Sequence, residues 1–189
     1  MKFSERTRYT LANSIKELMR NIPLDKISVR EIVENCGTTR QTFYRNFKDK
    51  YDLVNWYFDK IVQKTIKQMG LSLSLEEGLT KKFECMQEEK YFFMSAFSSS
   101  DLNNLFHYDY CCIYQFYKEV AIAKGPLTED IVFLLEFYCR SSMDITADWA
   151  RKGMKTPPAT MARLLVDAMP PRLHDYLSDL SNYKDTTGS

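Results

Sequence analysis

Glycine and proline are scarce in this chain, which has only six of each among 189 residues. Alternating apolar and polar residues, the pattern of a half-buried strand, are also rare. No apolar run is long enough to cross a membrane as a helix. The first residues, MKFSERTRYT, lack the apolar stretch of a secretory signal. We therefore expect an all-α protein that works in the cytoplasm and has no membrane attachment.

Other missing features argue against disulfides, metals and catalysis. The five cysteines are odd in number and none belongs to a CxxC pair, which favours free thiols in a reducing compartment. His107 and Cys111 stand four residues apart on a predicted helix, but only Asp109 is at hand to complete a metal site. Motifs of hydrolases, metalloproteases and nucleotide-binding loops are absent. We expect no metal, no cofactor and no enzymatic activity.

Charge is unevenly distributed along a chain whose formal net charge is only +1. Residues 1–50 contain 11 Lys and Arg against 6 Asp and Glu, a net charge of +5. The remaining residues contain 15 against 19, a net charge of −4. A basic N-terminal unit on a mildly acidic body is typical of a modular DNA-binding protein, because one end must approach phosphates and the other need not.

The most informative stretch is 28–50, SVREIVENCGTTRQTFYRNFKDK. Ser28 and Glu31 have the spacing of a capping box, which predicts the start of a helix. Gly37 predicts a sharp break, because glycine adopts left-handed backbone angles at little cost. Thr38 and Thr39 can then cap a second helix, which continues with polar and basic residues to about 46. Such a sequence predicts a helix-turn-helix, whose second helix enters a major groove.

The second helix of this motif supplies the candidate DNA contacts. Arg40 and Gln41 lie in its first turn and can reach base edges, arginine pairing with guanine and glutamine with adenine. Tyr44 and Lys50 are expected to bind phosphates, which position the protein without reading sequence. The competing interpretation is a solvated basic face without a DNA partner. The full set of expected DNA-binding residues is Ser28, Thr38, Thr39, Arg40, Gln41, Thr42, Tyr44, Arg45, Asn46 and Lys50.

The rest of the chain predicts a larger helical domain. We place the helix-turn-helix domain at 1–50, a connecting helix at about 49–68, and a helical effector-binding and dimerisation domain at 69–189. The boundary is the segment 69–75, MGLSLSL, which follows a long helix. We expect an effector pocket among the aromatic residues of this domain, against the competing interpretation that any given ring simply packs in the core. The candidates are Phe93, Phe97, Tyr110, Tyr114, Tyr117 and Tyr138.

Two predicted helices of the larger domain, at 128–153 and 158–169, are apolar on more than one side. The core of the subunit accounts for one side, and a second subunit is the natural candidate for the other. A symmetric dimer would also place two helix-turn-helix units on half-sites about 34–36 Å apart. The expected interface residues are Ile145, Trp149, Met161, Leu165 and Met169.

Residues 28–50 resemble the helix-turn-helix of the TetR family of bacterial regulators. The resemblance rests on Gly37 in the turn, Thr42, the aromatic Tyr44, the Phe47 anchor and Lys50. The segments 149–154, 157–158 and 169–170 resemble the C-terminal domain of DhaS-type members, which regulate dihydroxyacetone kinase genes.

The resemblance implies a homodimeric transcriptional regulator that binds a palindromic operator. It also implies control by a small-molecule effector or a protein co-regulator at the C-terminal domain. The alternative that it leaves open is a partner-dependent adaptor or activator of DhaS type, without a small-molecule ligand.

Overall fold

The computed structural model describes residues 3–65 and 73–177, and every regular element in these two stretches is helical. The expected all-α fold class is confirmed. The first stretch forms an N-terminal head and a connecting helix, with these elements: α1 (Phe3–Leu18), a turn of 3-10 helix (Leu24–Lys26), α2 (Val29–Asn35), α3 (Arg40–Tyr44) and the connecting helix α4 (Lys50–Lys64).

The second stretch forms the body. Its elements are α5 (Leu75–Glu88), α6 (Lys90–Phe97), α7 (Leu105–Lys124), α8 (Glu129–Arg151), α9 (Pro158–Asp167) and α10 (Pro171–Leu177). Helix α5 packs along α9, and α8 packs against α6 and α7. The predicted domain boundary at 69–75 falls largely on residues 66–72, which lie outside the described residues.

The head is built around a small core to which each of its helices contributes. Leu11 and Ile15 of α1, Ile32 of α2 and Phe43 of α3 are completely buried. Leu53 of α4 completes this core and is also completely buried. Each of these side chains contributes about 1.5–3 kcal/mol through removal of apolar surface from water. The connecting helix is therefore part of the packing of the head.

The same core continues from the head into the body. Phe58 of α4 is completely buried, and its ring packs edge-to-face against Phe93 of α6 and Tyr108 of α7, with 6.3 Å between ring centroids in both cases. Because close-packed interiors transmit strain, the head cannot tilt without repacking these rings. Helix α4 is thus a shared structural element of the head and the body.

A buried ion pair lies next to this aromatic junction. Lys82 Nζ of α5 donates to both carboxylate oxygens of Asp109 on α7, at 2.9 and 2.8 Å. The two side chains are only 3% and 0% exposed, and the ammonium lies 5.6 Å from the ring centroid of Phe58. Removing one partner of such a pair leaves an uncompensated charge in the interior.

Replacing Asp109 with alanine should destabilise the protein by about 3–5 kcal/mol, because the ammonium of Lys82 loses its counter-charge where water cannot replace it. Urea unfolding of the full chain measures this loss. The matched control is Glu34→Ala, which breaks the solvent-exposed pair between Arg30 and Glu34 and should change stability little. Similar losses in the two variants would contradict a structural role for the buried pair.

Candidate nucleic-acid interface

The first helix of the motif starts as the sequence predicts. The Ser28 hydroxyl accepts a hydrogen bond from the backbone N–H of Glu31 at 3.2 Å, and the Glu31 carboxylate accepts one from the backbone N–H of Ser28 at 2.7 Å. This reciprocal capping box is confirmed. The hydrogen bonds from the Ser28 hydroxyl and backbone hold the pKa of the Glu31 carboxyl below its usual value. Helix α2 is therefore anchored at its first turn.

The turn between α2 and α3 depends on Gly37, whose φ of +65° lies in the left-handed region. A Cβ at this position would meet no heavy atom within 4 Å, so the requirement for glycine is conformational and does not arise from crowding. The backbone N–H of Thr38 then donates to the carbonyl of Val33 at 2.9 Å and closes the turn. Thr39 caps α3 by accepting from the N–H of Thr42 at 3.1 Å.

Helix α3 is shorter than the sequence indicates. It ends at Tyr44, so Arg45 and Asn46 lie in the turn that follows it. Phe43 and Phe47 point inward, with exposures of 0% and 3%. The two inward rings fix which face of this one-and-a-half-turn helix looks outward.

The ten predicted DNA-binding residues divide into two groups. The first group forms one exposed surface on and around α3 and consists of Thr39, Arg40, Gln41, Tyr44 and Arg45. Within the two described stretches, the side chains of Arg40, Gln41 and Arg45 make no hydrogen bond or ion pair. We call this group the recognition surface. Its side chains are available to a partner, because the folded head makes no polar use of these three.

The second group consists of Ser28, Thr38, Thr42, Asn46 and Lys50, and all of these except Thr38 use their side chains within the head. The Ser28 hydroxyl serves the capping box, the Thr42 hydroxyl lies 3.0 Å from the Thr39 hydroxyl, and the Asn46 side chain donates to the carbonyl of Thr42 at 2.8 Å. The buried hydroxyl of Thr38 has no hydrogen-bond partner in the part of the chain that the structure describes. Lys50 Nζ donates to three backbone carbonyls of the loop before α2, those of residues 24, 25 and 27, at 2.8–2.9 Å. An ammonium has three N–H groups, so binding a phosphate would cost Lys50 one of these bonds.

Sequence reasoning missed Arg8, which supports the recognition surface from its inner side. Its guanidinium lies beside the paired rings of Phe47 and Trp56, at 5.3 and 5.7 Å from their centroids, and donates to the carbonyl of Asn46 at 3.2 Å. Arg8 thus joins α1 and α4 to the end of α3. The sequence does contain an indication of this role, because Arg8 lies three residues before the buried Leu11 and therefore on the same face of α1.

A second feature that sequence reasoning missed is the contact between head and body at Asp25. Its carboxylate accepts hydrogen bonds from the Ser99 hydroxyl, from the backbone N–H and the hydroxyl of Ser100 at 3.1 and 3.2 Å, and from the Tyr51 hydroxyl at 3.2 Å. These bonds, with the Ser99 hydroxyl as the largest cause, lower the pKa of Asp25. We call this cluster the Asp25 latch. It ties the loop between α6 and α7 to the 3-10 turn that precedes α2.

Within the described residues, the six predicted effector-pocket residues form three separate ring pairs. Tyr117 and Tyr138 line a hollow of about 20 Å³ between α5, α7, α8 and α9, which is room for at most one water molecule. Phe93 and Phe97 stack on each other within the core, with centroids 6.1 Å apart. Tyr110 and Tyr114 form a separate stacked pair, each ring next to a cationic side chain.

Four of the five predicted interface residues are covered by the chain itself. The exposures of Trp149, Met161, Leu165 and Met169 are 7%, 5%, 5% and 3%. Helix α5 packs along α9, and the Trp149 ring packs edge-to-face on Phe83 of α5 at 5.3 Å. Only Ile145 of the predicted set is exposed, at 49%. Helix α8 also exposes Phe133 and Phe137, at 68% and 57%, which the prediction did not include.

Metal and thiol chemistry find little support in the described residues. Among them, no group of three or more His, Cys, Asp or Glu side chains could hold a metal ion. His107 Nε2 and Cys111 Sγ lie 3.8 Å apart on the surface of α7. Burial raises the pKa of the Cys112 and Cys139 thiols to about 12, which keeps them protonated and unreactive. No helix in residues 3–65 or 73–177 is both long enough and apolar enough to cross a membrane.

The capped α2, the glycine turn and the exposed basic α3 define a DNA-binding protein of the helix-turn-helix class, here joined to a helical body. Comparison with known families agrees. Residues 14–56 match the family described as bacterial regulatory proteins, tetR family, and residues 74–170 match the transcriptional regulator C-terminal region of TetR proteins. The chain belongs to the TetR family of transcriptional regulators.

Two similar proteins carry related names. The chain is 27% identical over 97 residues to the HTH-type dhaKLM operon transcriptional activator DhaS of Lactococcus lactis subsp. lactis (strain IL1403). This match covers 51% of the chain and 52% of the relative, so it spans about half the length of that curated protein. The solved structure of a dihydroxyacetone kinase operon activator DhaS has the same fold, with a TM-score of 0.66 over 91% of this chain and 98% of that one, at 18% identity.

Replacing Asp25 with alanine should weaken the Asp25 latch by about 1 kcal/mol at neutral pH, since the site is solvent-exposed. The folded-state pKa of this carboxyl is lowered, so its contribution is present above its unfolded pKa of about 3.9 and is lost as pH falls through the folded value. The difference in unfolding free energy between wild type and variant should therefore shrink below about pH 4.

Urea unfolding at neutral pH and again below about pH 4 measures this difference in unfolding free energy. The control is Asp167→Ala on the exposed face of α9. A difference that stays constant across the acid range would contradict the assignment of the latch to the Asp25 carboxylate.

Proposed function

We propose that the protein acts as a homodimer that binds a palindromic operator in the bacterial cytoplasm through its two recognition surfaces. The observation that carries this proposal is that the side chains of Arg40 and Gln41 on α3, and of Arg45 just after it, make no polar contact with the described residues, while buried rings fix the inner face of the helix. A rigid base matters, because a side chain discriminates between bases only if its position is defined. The basic charge of residues 1–50 supplies the non-specific attraction to phosphates.

Each member of the recognition surface has a proposed role. Arg40 and Gln41, in the first turn of α3, read base edges in the major groove. Tyr44, which is 60% exposed, and the Thr39 hydroxyl contact phosphates and fix the register of the helix. Arg45 follows the helix and reaches either the backbone or a base.

The predicted DNA-binding residues whose side chains make contacts within the head have a supporting role in this proposal. Ser28 and Asn46 shape the ends of α2 and α3, and Lys50 holds the loop before α2 through its three carbonyl bonds. Their contribution to DNA affinity then comes mainly through the position of α3. The hydroxyl of Thr42 lies close to the turn, 3.0 Å from that of Thr39, where a phosphate can approach it. The Thr38 hydroxyl is buried, so Thr38 contributes through the backbone bond to Val33 that closes the turn.

We further propose that α8 provides the dimer contact. Phe133 and Phe137 lie one turn apart on the same side of this helix and are more than half exposed. Large exposed aromatic residues at such spacing mark a surface that a partner covers. Ile145 extends the apolar surface further along α8, while Trp149 supports this helix from within the body. A twofold arrangement would present two heads to half-sites one helical turn apart.

A second candidate is a regulator that activates transcription and depends on a protein co-regulator instead of a small molecule. The observation that favours it is the likeness to a protein named as a transcriptional activator. Leu102, 89% exposed in the loop that carries the latch serines, offers a contact point for such a partner. Operator binding that requires a second protein would support this candidate.

Arg40→Ala should lower operator affinity by about 1–3 kcal/mol and relax the preference for one base pair, because a bidentate arginine contact to guanine is lost. Fluorescence anisotropy with operator duplexes and random duplexes measures both effects. Arg163→Ala, on the exposed face of α9, is the control and should bind both duplexes like wild type. An equal loss on operator and random DNA would contradict base reading by Arg40.

Phe137→Glu should convert the dimer into monomers, because a carboxylate placed in an apolar contact between two subunits would be desolvated and would meet its own symmetry copy. Analytical ultracentrifugation reports the mass. The control Leu102→Glu makes the same kind of change at an exposed position of the body away from α8. A Phe137→Glu variant that keeps the mass of a dimer, or a monomeric wild type, would contradict the proposed interface.

A further inference from the structure

Two neighbouring hollows lie where the head meets the body. One, of about 440 Å³, is lined by the chain from residue 19 to residue 25 and by α6 and the residues after it, Tyr91, Met94, Ser95, Ser98 and Ser99. A neighbouring hollow of about 380 Å³ is lined by α1 and by residues 88–92. Arg20 and Tyr91 line both, so we call the pair the seam groove. Its first hollow has the volume of a small-molecule site, whereas the hollow described inside the body holds at most one water.

The walls of the first hollow are mainly apolar. Met19, Ile22 and Pro23 form the head side, and Met94 with the half-exposed ring of Tyr91 forms the body side. Methionine side chains are flexible and polarisable, so such walls adapt to alkyl chains and to rings. The first hollow therefore suits the apolar part of a ligand.

The charged side chains around the groove determine which polar head group of a ligand can bind. The guanidinium of Arg20 makes no hydrogen bond or ion pair within residues 3–65 and 73–177, and it stands where the two hollows meet. By contrast, Lys16 pairs with Glu89, and the Asp25 carboxylate is occupied by the latch. Glu17 and Glu88 line the second hollow and would repel an anion there, and the cations Lys16 and Lys90 line only that hollow. Among the residues that line the first hollow, Arg20 alone is cationic, so an anionic group bound there is directed to Arg20.

We propose that the seam groove binds an amphipathic small molecule whose apolar part lies between Met19, Ile22 and Met94 and whose single anionic group pairs with Arg20. A charge-assisted bond of this kind would favour the anion over a neutral molecule of the same length.

Such a ligand would act on the contacts that hold the head. Asp25 and Ser99 of the latch line the same hollow, and the Ser95 hydroxyl there accepts a hydrogen bond from the backbone N–H of Leu24 at 2.9 Å. A ligand that fits one head position better than another shifts the population of head positions by its differential affinity. This regulatory consequence rests on the proposed operator-binding function, whereas binding itself does not.

The test uses three eight-carbon probes with different head groups: octanoate, 1-octanol and octylammonium. Isothermal titration of the full chain should show saturable binding of octanoate, about tenfold tighter than that of the other two. Arg20→Gln should remove this tenfold advantage and leave octanol binding unchanged. Met94→Glu should abolish binding of both octanoate and octanol, and Arg163→Gln should behave like wild type. Thermal unfolding confirms that each variant is folded.

Absence of octanoate binding, or octanoate binding that Met94→Glu leaves intact, would overturn the assignment of the groove. Equal affinity for octanoate and octylammonium, or an unchanged affinity in Arg20→Gln, would overturn the role of Arg20. Operator affinity is measured separately with and without octanoate. Tight operator binding without any octanoate binding would defeat the ligand inference alone, whereas octanoate binding without operator binding would defeat the proposed function and leave the site standing.

Discussion

The recognition surface depends on the burial of two phenylalanine rings. Helix α3 has five residues, far fewer than an isolated helix needs to be stable in water. Phe43 and Phe47 supply the missing stability by packing into the head core, and Arg8 adds a cation against the rings of Phe47 and Trp56. Because these contacts fix the inner face of α3, Arg40 and Gln41 are held outward in one orientation. In the proposed function, the ability of α3 to read DNA is thus a consequence of aromatic packing.

The same packing connects the head to the body. Phe58 carries the core along α4 to Phe93 and Tyr108, and the Asp25 latch adds a second connection at the 3-10 turn. The two connections differ in character. Burial of rings is strong and tolerates little displacement, whereas exposed hydrogen bonds exchange readily with water. A change in the position of the head therefore requires less free energy if it breaks the hydrogen bonds of the latch than if it repacks the rings of the aromatic junction.

Features set by neighbouring residues were predictable from the sequence. The capping box of Ser28 and Glu31 and the glycine turn at Gly37 require only local spacing and local backbone angles, and both are present. The end of α3 was predicted too late, because Arg45 and Asn46 have no helix-breaking character of their own. The turn there is imposed by the packing of Phe47, a tertiary effect.

Contacts between distant parts of the chain were not predictable. Met161 and Leu165 were assigned to a subunit interface because α9 is apolar on several sides, yet α5, which lies more than 70 residues earlier, covers them. Asp25 and Ser100 are 75 residues apart, and nothing in either segment indicates the pairing. Hydrophobic periodicity shows how much surface a helix must bury, but it does not show what covers that surface.

The central claim is that the exposed face of α3 reads a specific operator. Its most direct test is a fluorescence-anisotropy titration of the purified protein against duplexes that tile its own upstream region, at several salt concentrations and with random DNA for comparison. The claim predicts one duplex that binds tightly, with an affinity that falls steeply as salt rises. Weak and equal binding to every duplex at every salt concentration would contradict it.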